Sequence, residues 1–316
     1  MTDPISVERI REAPGVIDPA FLNTPQFVCE PLSERLGVSV LLKVECVNPI
    51  RSFKGRGAGY FVHRLAGDPT PLVCASAGNF GQGMAFACRQ AGRPLTVFAA
   101  TSANPLKVAR MRALGADVIE AGADFDEAKD AARRHADSTG ARFVEDGRET
   151  AISEGAGTIA PEILHAPQRP EVLFVPLGNG ALLNGVGAWI KRFSPATMVV
   201  GVCAERAPSM ALSWKAASPI EAPNETIADG IGVRVPVPEA VAAMRGTVDD
   251  VALVTDAAIV DAMRSLHADT GLVVEPSGAA GVAAIAARRD ELKGRRVATV
   301  LTGGNLTAEQ VRAWLY

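Results

Sequence analysis

The sequence predicts an α/β fold built on parallel sheets, and two observations carry that prediction. Short, continuously apolar runs alternate with stretches of helical pattern through most of the chain. Glycine-rich loops directly follow several of the apolar runs. Strands buried on both faces read as unbroken apolar segments, and the helices that cover them fall between, as in doubly wound sheets.

Taken in order, Leu72–Ala75 predicts a buried strand. It leads into Ser76-Ala77-Gly78-Asn79-Phe80-Gly81-Gln82-Gly83, then a helix over about 84–91 that Gly92 closes. Leu95–Ala99 is the next strand. Asn104 can cap free N–H groups and Pro105 fits a first turn, so a helix starts there and stops at Gly115. Val118-Ile119 is a short strand, and Asp124 with Glu127 makes a capping-box-like start for a helix reaching Thr139. In the second half, 172–175, 199–202 and 297–301 are strands, and 178–187 is a glycine-rich turn entering a helix. The proline-containing stretches 207–223 and 236–238 read as surface loops. Ligands of open α/β sheets bind beyond the carboxyl ends of strands. The loops 76–83, 176–187 and 303–305 therefore predict one composite site.

At 316 residues the chain has room for two domains of about 150 residues each. Its net charge of −3 offers no basic surface for a nucleic acid or an anionic membrane. A 48% apolar content excludes disorder. The five cysteines (29, 46, 74, 88 and 203) are odd in number and form no C-x-x-C pair. That argues against a disulfide framework or a zinc knuckle and fits a reducing, cytoplasmic compartment. The start, Met1-Thr2-Asp3-Pro4, lacks signal-peptide architecture, and no apolar run is long enough to span a bilayer.

Four segments carry chemistry. In Pro176-Leu177-Gly178-Asn179-Gly180-Ala181-Leu182, glycines let several backbone N–H groups converge at a helix start, where a phosphate is the natural guest. A ligand-free strand-to-helix turn explains this segment equally well. No Lys-Ser/Thr pair follows, and the spacing is not that of a dinucleotide fingerprint. In Asn48-Pro49-Ile50-Arg51-Ser52-Phe53-Lys54-Gly55-Arg56, Lys54 follows the candidate cap Ser52. A helix N-terminus and partial burial both favour the nucleophilic neutral amine. The bland alternative is a solvated lysine in a basic surface patch with Arg51 and Arg56. The 76–83 loop offers backbone N–H groups and an Asn amide suited to a carboxylate, or is again a ligand-free turn. Leu301-Thr302-Gly303-Gly304-Asn305 ends a strand in a hydroxyl and two glycines.

In chain order, lysine, Ser-x-Gly-Asn loop, glycine-rich phosphate loop and Thr-Gly-Gly-Asn, the four segments resemble the fold-type II pyridoxal-phosphate enzymes, in the branch of serine/threonine dehydratases (threonine ammonia-lyases) and serine racemases. Further matches are Leu114-Gly115-Ala116-Asp117-Val118, Gly157-Thr158-Ile159-Ala160-Pro161-Glu162-Ile163, Thr226-Ile227-Ala228-Asp229-Gly230 and Val274-Glu275-Pro276-Ser277-Gly278-Ala279. The resemblance implies a tryptophan-synthase-β-like architecture of two doubly wound parallel-sheet domains with the active site in the cleft. It implies a discontinuous large domain, 1–45 with 147–316, and a small domain, 46–146. Lys54 would form the Schiff base with pyridoxal phosphate and then act as the Cα base. Phe53 would flank the cofactor, and Gly178, Asn179, Gly180, Ala181 and Leu182 would cradle its phosphate. Asn79 would meet the ring hydroxyl and Thr302 the ring nitrogen. Ser76, Ala77, Gly78, Asn79 and Phe80 would hold the substrate carboxylate. The implied reaction is β-elimination of L-threonine or L-serine to a 2-oxo acid and ammonia. In the family the cofactor phosphate is the proposed acid for the leaving group. Relatives are usually dimers or tetramers.

Departures from the family pattern sharpen this. Racemases of the branch place a serine where this chain has Ala77, which cannot carry a proton, so dehydration ranks above racemisation. Phe80 replaces a usual histidine. The aligned positions of the family's cation site are Cys203, Ala207 and Ser209, poor ligands for hard cations, so no divalent site is expected. Glu154 stands where relatives carry alanine; it either meets a cationic group on the substrate or is an exposed glutamate at a helix start, favoured by the dipole. A diamino acid lyase or β-replacement enzyme is the nearest alternative, with a nicotinamide-dependent oxidoreductase and a non-catalytic binding protein further off. The chain ends soon after Asn305, so neither a C-terminal regulatory domain nor isoleucine feedback is expected.

Overall fold

The computed structural model describes residues 4–76 and 78–316. Two sheets organise them. The larger contains β1 (Gln26–Val28), β2 (Ser39–Val44), β7 (Val172–Pro176), β8 (Met198–Ala204), β9 (Asp250–Val254) and β10 (Arg296–Leu301), in the order β1-β2-β10-β7-β8-β9. Every pairing in it is parallel except β1 with β2, which is antiparallel. The smaller contains β3 (Leu72–Ala75), β4 (Leu95–Ala99), β5 (Asp117–Glu120) and β6 (Arg142–Val144), all parallel, in the order β5-β4-β3-β6. All four strands of the smaller sheet come between β2 and β7 in the chain.

The unbroken apolar strands are explained by what lies on each side. Val172 and Phe174 of β7 join one buried cluster, and Leu173 and Val175 join another on the opposite face. The smaller sheet divides the same way: Leu72 and Cys74 face one cluster, Val73 and Ala75 the other. Successive side chains of a strand point to opposite faces, so both faces must be apolar when helices cover both.

Expected strands lie where the apolar runs placed them, within one or two residues. The helices differ more. The one expected over 84–91 starts five residues earlier, as Asn79–Gln90, so the Asn79 loop is itself a helix N-terminus. Asn104 caps Pro105–Ala113 as expected, its side chain accepting from Leu106 N at 2.9 Å. Asp124 accepts from Glu127 N at 2.9 Å, but the Glu127 carboxylate turns to Ala123 N rather than to the capping residue. Of the two expected surface loops, the first contains the helix Ser209–Ala216, while the second, 236–238, is a connection that runs into the helix Pro238–Ala243. In that helix, proline takes a first-turn position, where its missing N–H costs nothing.

The fold stitches the Lys54 segment to the end of β10. Phe53 N donates to Thr302 O (3.1 Å), Gly304 N to Arg51 O (3.0 Å), and Ser52 bridges Gly303. The Asn48 side chain closes the turn before it, accepting from Ile50 N and Ser52 N. Lys54 therefore begins the helix Lys54–Arg64 with its backbone fixed to the larger sheet. All five cysteines are free and buried. No helix among the described residues is long and apolar enough to cross a membrane.

Candidate active site

Short contacts tie the four predicted segments into one cleft. Gly178 is so close to Gly230 that a Cβ on it would lie 2.5 Å from the Gly230 carbonyl oxygen. Behind the same loop, a Cβ on Gly147 would lie 2.2 Å from Asn179 O, so residue 147 packs directly on the 178–182 turn. The preceding residue, Asp146, holds the Lys54 amine: Nζ lies 2.6 Å from Oδ2. That amine lies 4.7 Å from the centre of the Phe53 ring and 5.8 Å from that of Phe80. Gly83, on the Asn79–Gln90 helix, backs onto the Lys54 carbonyl, leaving no room for a side chain.

The 178–182 turn is built to receive an anion. Gly180 has φ +89°, a left-handed conformation that suits glycine, and it caps the helix Ala181–Phe193. The backbone N–H groups of Gly178, Asn179, Gly180, Ala181 and Leu182 find no acceptor among the described residues. They sit at the positive end of that helix, with Ala181 and Leu182 buried. A cradle of open donors together with a partly buried lysine fits the phosphate and aldehyde of pyridoxal phosphate.

Around Asn79 the polar groups are fixed from both sides. Its Nδ2 donates to Glu275 Oε1 (2.5 Å), and its Oδ1 accepts from Asn305 Nδ2 (2.8 Å). This pins the amide and leaves one Nδ2 hydrogen open. Asn305 N also donates to Glu275 Oε2 (3.1 Å), and Arg110 donates to Asn305 Oδ1. Gly303 is obligatory here, since a Cβ on it would lie 2.2 Å from Glu275 Oε1. Thr302 is buried beside it. Burial pushes the Glu275 carboxyl up to about 7, against the Lys107 charge and its hydrogen bonds from Asn79 and Asn305. Lys107, itself buried, pairs with Asp229. Burial alone would lower its pKa, but the Glu275 and Asp229 charges outweigh that and hold it above its ordinary value.

The carboxylate loop is partly self-satisfied. Ser76 Oγ accepts from Gly78 N (3.1 Å) and Gly81 N (2.9 Å), which folds the loop back on itself. The N–H groups of Asn79 and Phe80 stay open at the helix start among the described residues. Ala77 lies outside the described residues. Lys107 Nζ lies 3.6 Å from where a Cβ on Gly78 would stand, so a buried ammonium borders this loop.

Two expectations are corrected. Arg56 does not belong to a solvated patch: it is fully buried and clasped by Glu45 and Glu162 at 2.7–2.9 Å. Glu154, offered as a contact to a cationic substrate group, is instead committed to the N-terminal segment, accepting from Arg9 Nε (2.7 Å) and Ser6 N (2.9 Å). Among the described residues no group of three or more His, Cys, Asp or Glu could hold a metal ion.

Sequence reading missed Asp146, Glu275, Asn305, Lys107 and Asp229 as site residues. Asp229 and Glu275 lie inside matched motifs, but without a role. Asp146 lies two residues past β6, at a carboxyl end of a strand, where the ligand rule for α/β sheets would have found it had that strand been recognised.

A lysine opposite an anion cradle, in a cleft between two parallel sheets, defines a fold-type II pyridoxal-phosphate enzyme. Residues 17–303 match the family described as pyridoxal-phosphate dependent enzymes, and the chain belongs to that family. An L-threonine ammonia-lyase of Thermotoga maritima is 36% identical over 311 residues, 97% of this chain and 77% of that protein. The biosynthetic L-threonine dehydratase IlvA of Bacillus subtilis is 32% identical, over 95% of this chain and 73% of that protein. Among solved structures, processed threonine deaminase isoform 2 of Solanum lycopersicum superposes with TM-score 0.91 at 26% identity, covering 99% and 94% of the two chains. Maize serine racemase gives 0.90 at 28%, covering 98% and 97%.

Proposed function

We propose that this enzyme β-eliminates water from L-threonine or L-serine, giving a 2-oxo acid and ammonia. The observation that carries the reading is the Lys54 amine held by Asp146, whose neighbour Gly147 packs on the open turn 178–182. The relatives named as threonine ammonia-lyase and threonine dehydratase support the substrate.

In this reading Lys54 would hold the cofactor through its amine and would move the Cα proton at Nζ. The N–H groups of Gly178, Asn179, Gly180, Ala181 and Leu182 hold the phosphate, and Phe53 flanks the ring. Asn79 uses its open Nδ2 hydrogen for the ring hydroxyl, and Thr302 meets the ring nitrogen. When bound, the cofactor spreads the negative charge that develops at Cα, and a neutral Thr302 hydroxyl favours loss of the β-substituent over transamination. The N–H groups of Asn79 and Phe80 take the substrate carboxylate, and Ser76 and Gly78 shape the loop around it; Ala77, which the resemblance also implies here, lies outside the described residues. Ala77 supplies no second base, which keeps dehydration ahead of racemisation.

The division into 1–45 with 147–316 and 46–146 belongs to this reading, as does assembly into two or four copies, which light scattering would measure. A 2-oxo acid assay with L-threonine and L-serine tests the activity. Wild-type protein with added cofactor is expected to be yellow and active. Lys54→Ala should lose the lysine-dependent absorbance and at least about 10³-fold of the rate. A protein that ignores the cofactor, or an active Lys54→Ala variant, would refute the reading.

A further inference from the structure

We propose that Asp146 is a catalytic residue of this site: it takes the proton that Lys54 removes from Cα and delivers it to the departing β-hydroxyl. The inference rests on the function proposed above and assigns the leaving group's proton to a side chain of this chain, in place of the cofactor phosphate that the resemblance implies.

Three observations carry it. Asp146 Oδ2 lies 2.6 Å from Lys54 Nζ, a hydrogen-bond distance to the atom that carries the Cα proton. Both side chains are largely buried, 15% and 11% exposed, so bulk water is a poor competitor for proton exchange. The second oxygen, Oδ1, is buried and has no hydrogen-bond partner among the described residues. A buried carboxylate oxygen left open in a native site calls for an explanation. A passive counterion to Lys54 would give no reason to leave half of the carboxylate unsatisfied. A donor that arrives with the substrate would. The backbone places that oxygen well, because Gly147 is pressed against Asn179 of the 178–182 turn, so Asp146 stands between the lysine and the cradle.

The step balances. The Cα–H bond breaks and its proton goes to the neutral Lys54 Nζ. Its electron pair ends as the Cα=Cβ π bond while the Cβ–O bond breaks with its pair on oxygen. The Lys54 ammonium passes its proton to the Asp146 carboxylate, which passes it to the leaving oxygen, and water departs. Lysine and aspartate are returned to their starting states, and no outside acid or oxidant is consumed. Hydroxide is a poor leaving group at neutral pH, and a placed acid contributes about 10²–10⁴-fold to such steps.

The test separates leaving groups that need a proton from one that does not. In holoenzyme, Asp146→Asn is compared with wild type on L-serine and on β-chloro-L-alanine, whose chloride leaves unprotonated. The expected result is a kcat loss of about 10²-fold on L-serine and less than about threefold on β-chloro-L-alanine. The cofactor absorbance and melting temperature should match wild type. Exchange of the serine Cα proton in D₂O, followed by NMR, should persist, showing that Lys54 still works. Asp146→Glu, which keeps a carboxyl, should recover part of the serine rate, and it supplies the same ratio if the Asn variant folds poorly. Equal losses on both substrates would overturn the proposal, since Asp146 would then only position Lys54. So would an unchanged serine rate, which would leave the acid elsewhere. A wild-type enzyme inert on both substrates would instead refute the dehydratase reading itself.

Discussion

Lys54 and Arg56 are two residues apart on one helix, yet their charged neighbourhoods differ in kind. Arg56 is fully buried, and its guanidinium is accounted for: Nε donates to Glu45, Nη1 to Thr158 and Glu162, Nη2 to Glu45, Glu162 and Thr24. Lys43 adds a second buried cation against Glu162 and the Thr24 carbonyl, so two positive and two negative side chains balance. Beside Lys54 the books stay open. Among the described residues, Asp146 has one oxygen satisfied and one not, and the cradle of residues 178–182 offers five unpaired N–H groups. A closed network holds elements together; an open one waits for a ligand. Arg56 bonds from the Lys54–Arg64 helix to Glu45 just past β2 and to Glu162 on the helix Ile159–Leu164, so the closed network fixes the position of the open one.

The largest effect should come from breaking the closed side. Arg56→Met strips the positive partner from the buried Glu45 and the partly buried Glu162, leaving Lys43 to face both. Removing one partner of a buried ion network costs about 3–5 kcal/mol. Urea denaturation should show the midpoint falling accordingly, and Arg56→Lys should recover little, because a point charge cannot match the fork of contacts. A loss below about 1 kcal/mol would mean that the network is not what locks the helix.

A smaller effect, readable through pH, is expected on the open side at Glu275. Its carboxyl, ordinarily near 4.5, stands at about 7 in the fold because burial opposes its charge. The folded chain therefore holds the proton more tightly than the unfolded chain does. This contribution to stability is fully present below about 4.5 and is lost as the pH rises through about 7. The whole displacement corresponds to about 3 kcal/mol. Glu275→Gln carries no such titration, although its amide must leave either Asn79 Nδ2 or Asn305 N without an acceptor. Denaturation midpoints measured from pH 5 to pH 8 should shift in favour of the variant as pH rises. Parallel curves would show that Glu275 does not titrate in this range.

The same contrast explains what the sequence revealed. Strand β7 was readable because both faces are apolar and nothing interrupts it, and β10 because only Thr299 interrupts its apolar run. β2 was missed because Lys43 breaks its apolar run; only the structure shows that its charge is neutralised by Glu162. β9 begins at Asp250 and leaves Leu253 45% exposed, the habit of an edge, and β1 and β6 have only three residues each. In the site, Lys54, Asn79 and the 178–182 turn were legible because lysine, asparagine and glycine announce themselves locally. Glu275 was not, because its meaning is a hydrogen bond to Asn79, 196 residues away. Local chemistry can be read from local sequence; partnership across the fold cannot.

Glu154 gives the finest test of that distinction. As a letter it is the most conspicuous departure in its motif, an acid where the family carries alanine, and it invites a cationic substrate. As a side chain it is 1% exposed and belongs to the closed kind of network, with Arg9 and Ser6 N sharing one of its oxygens. Arg9 is 27% exposed, so water would resolvate its charge if the pair were lost. Glu154→Gln keeps an acceptor for these donors and removes only the charge. It should therefore cost about 1 kcal/mol of stability or less and leave kcat/KM for L-serine and L-threonine within about threefold. Full kinetics with matched melting curves decide the matter. If KM rose at least tenfold while the melting temperature held, the carboxylate would reach the substrate after all, and the acid in the motif would have meant what it first suggested.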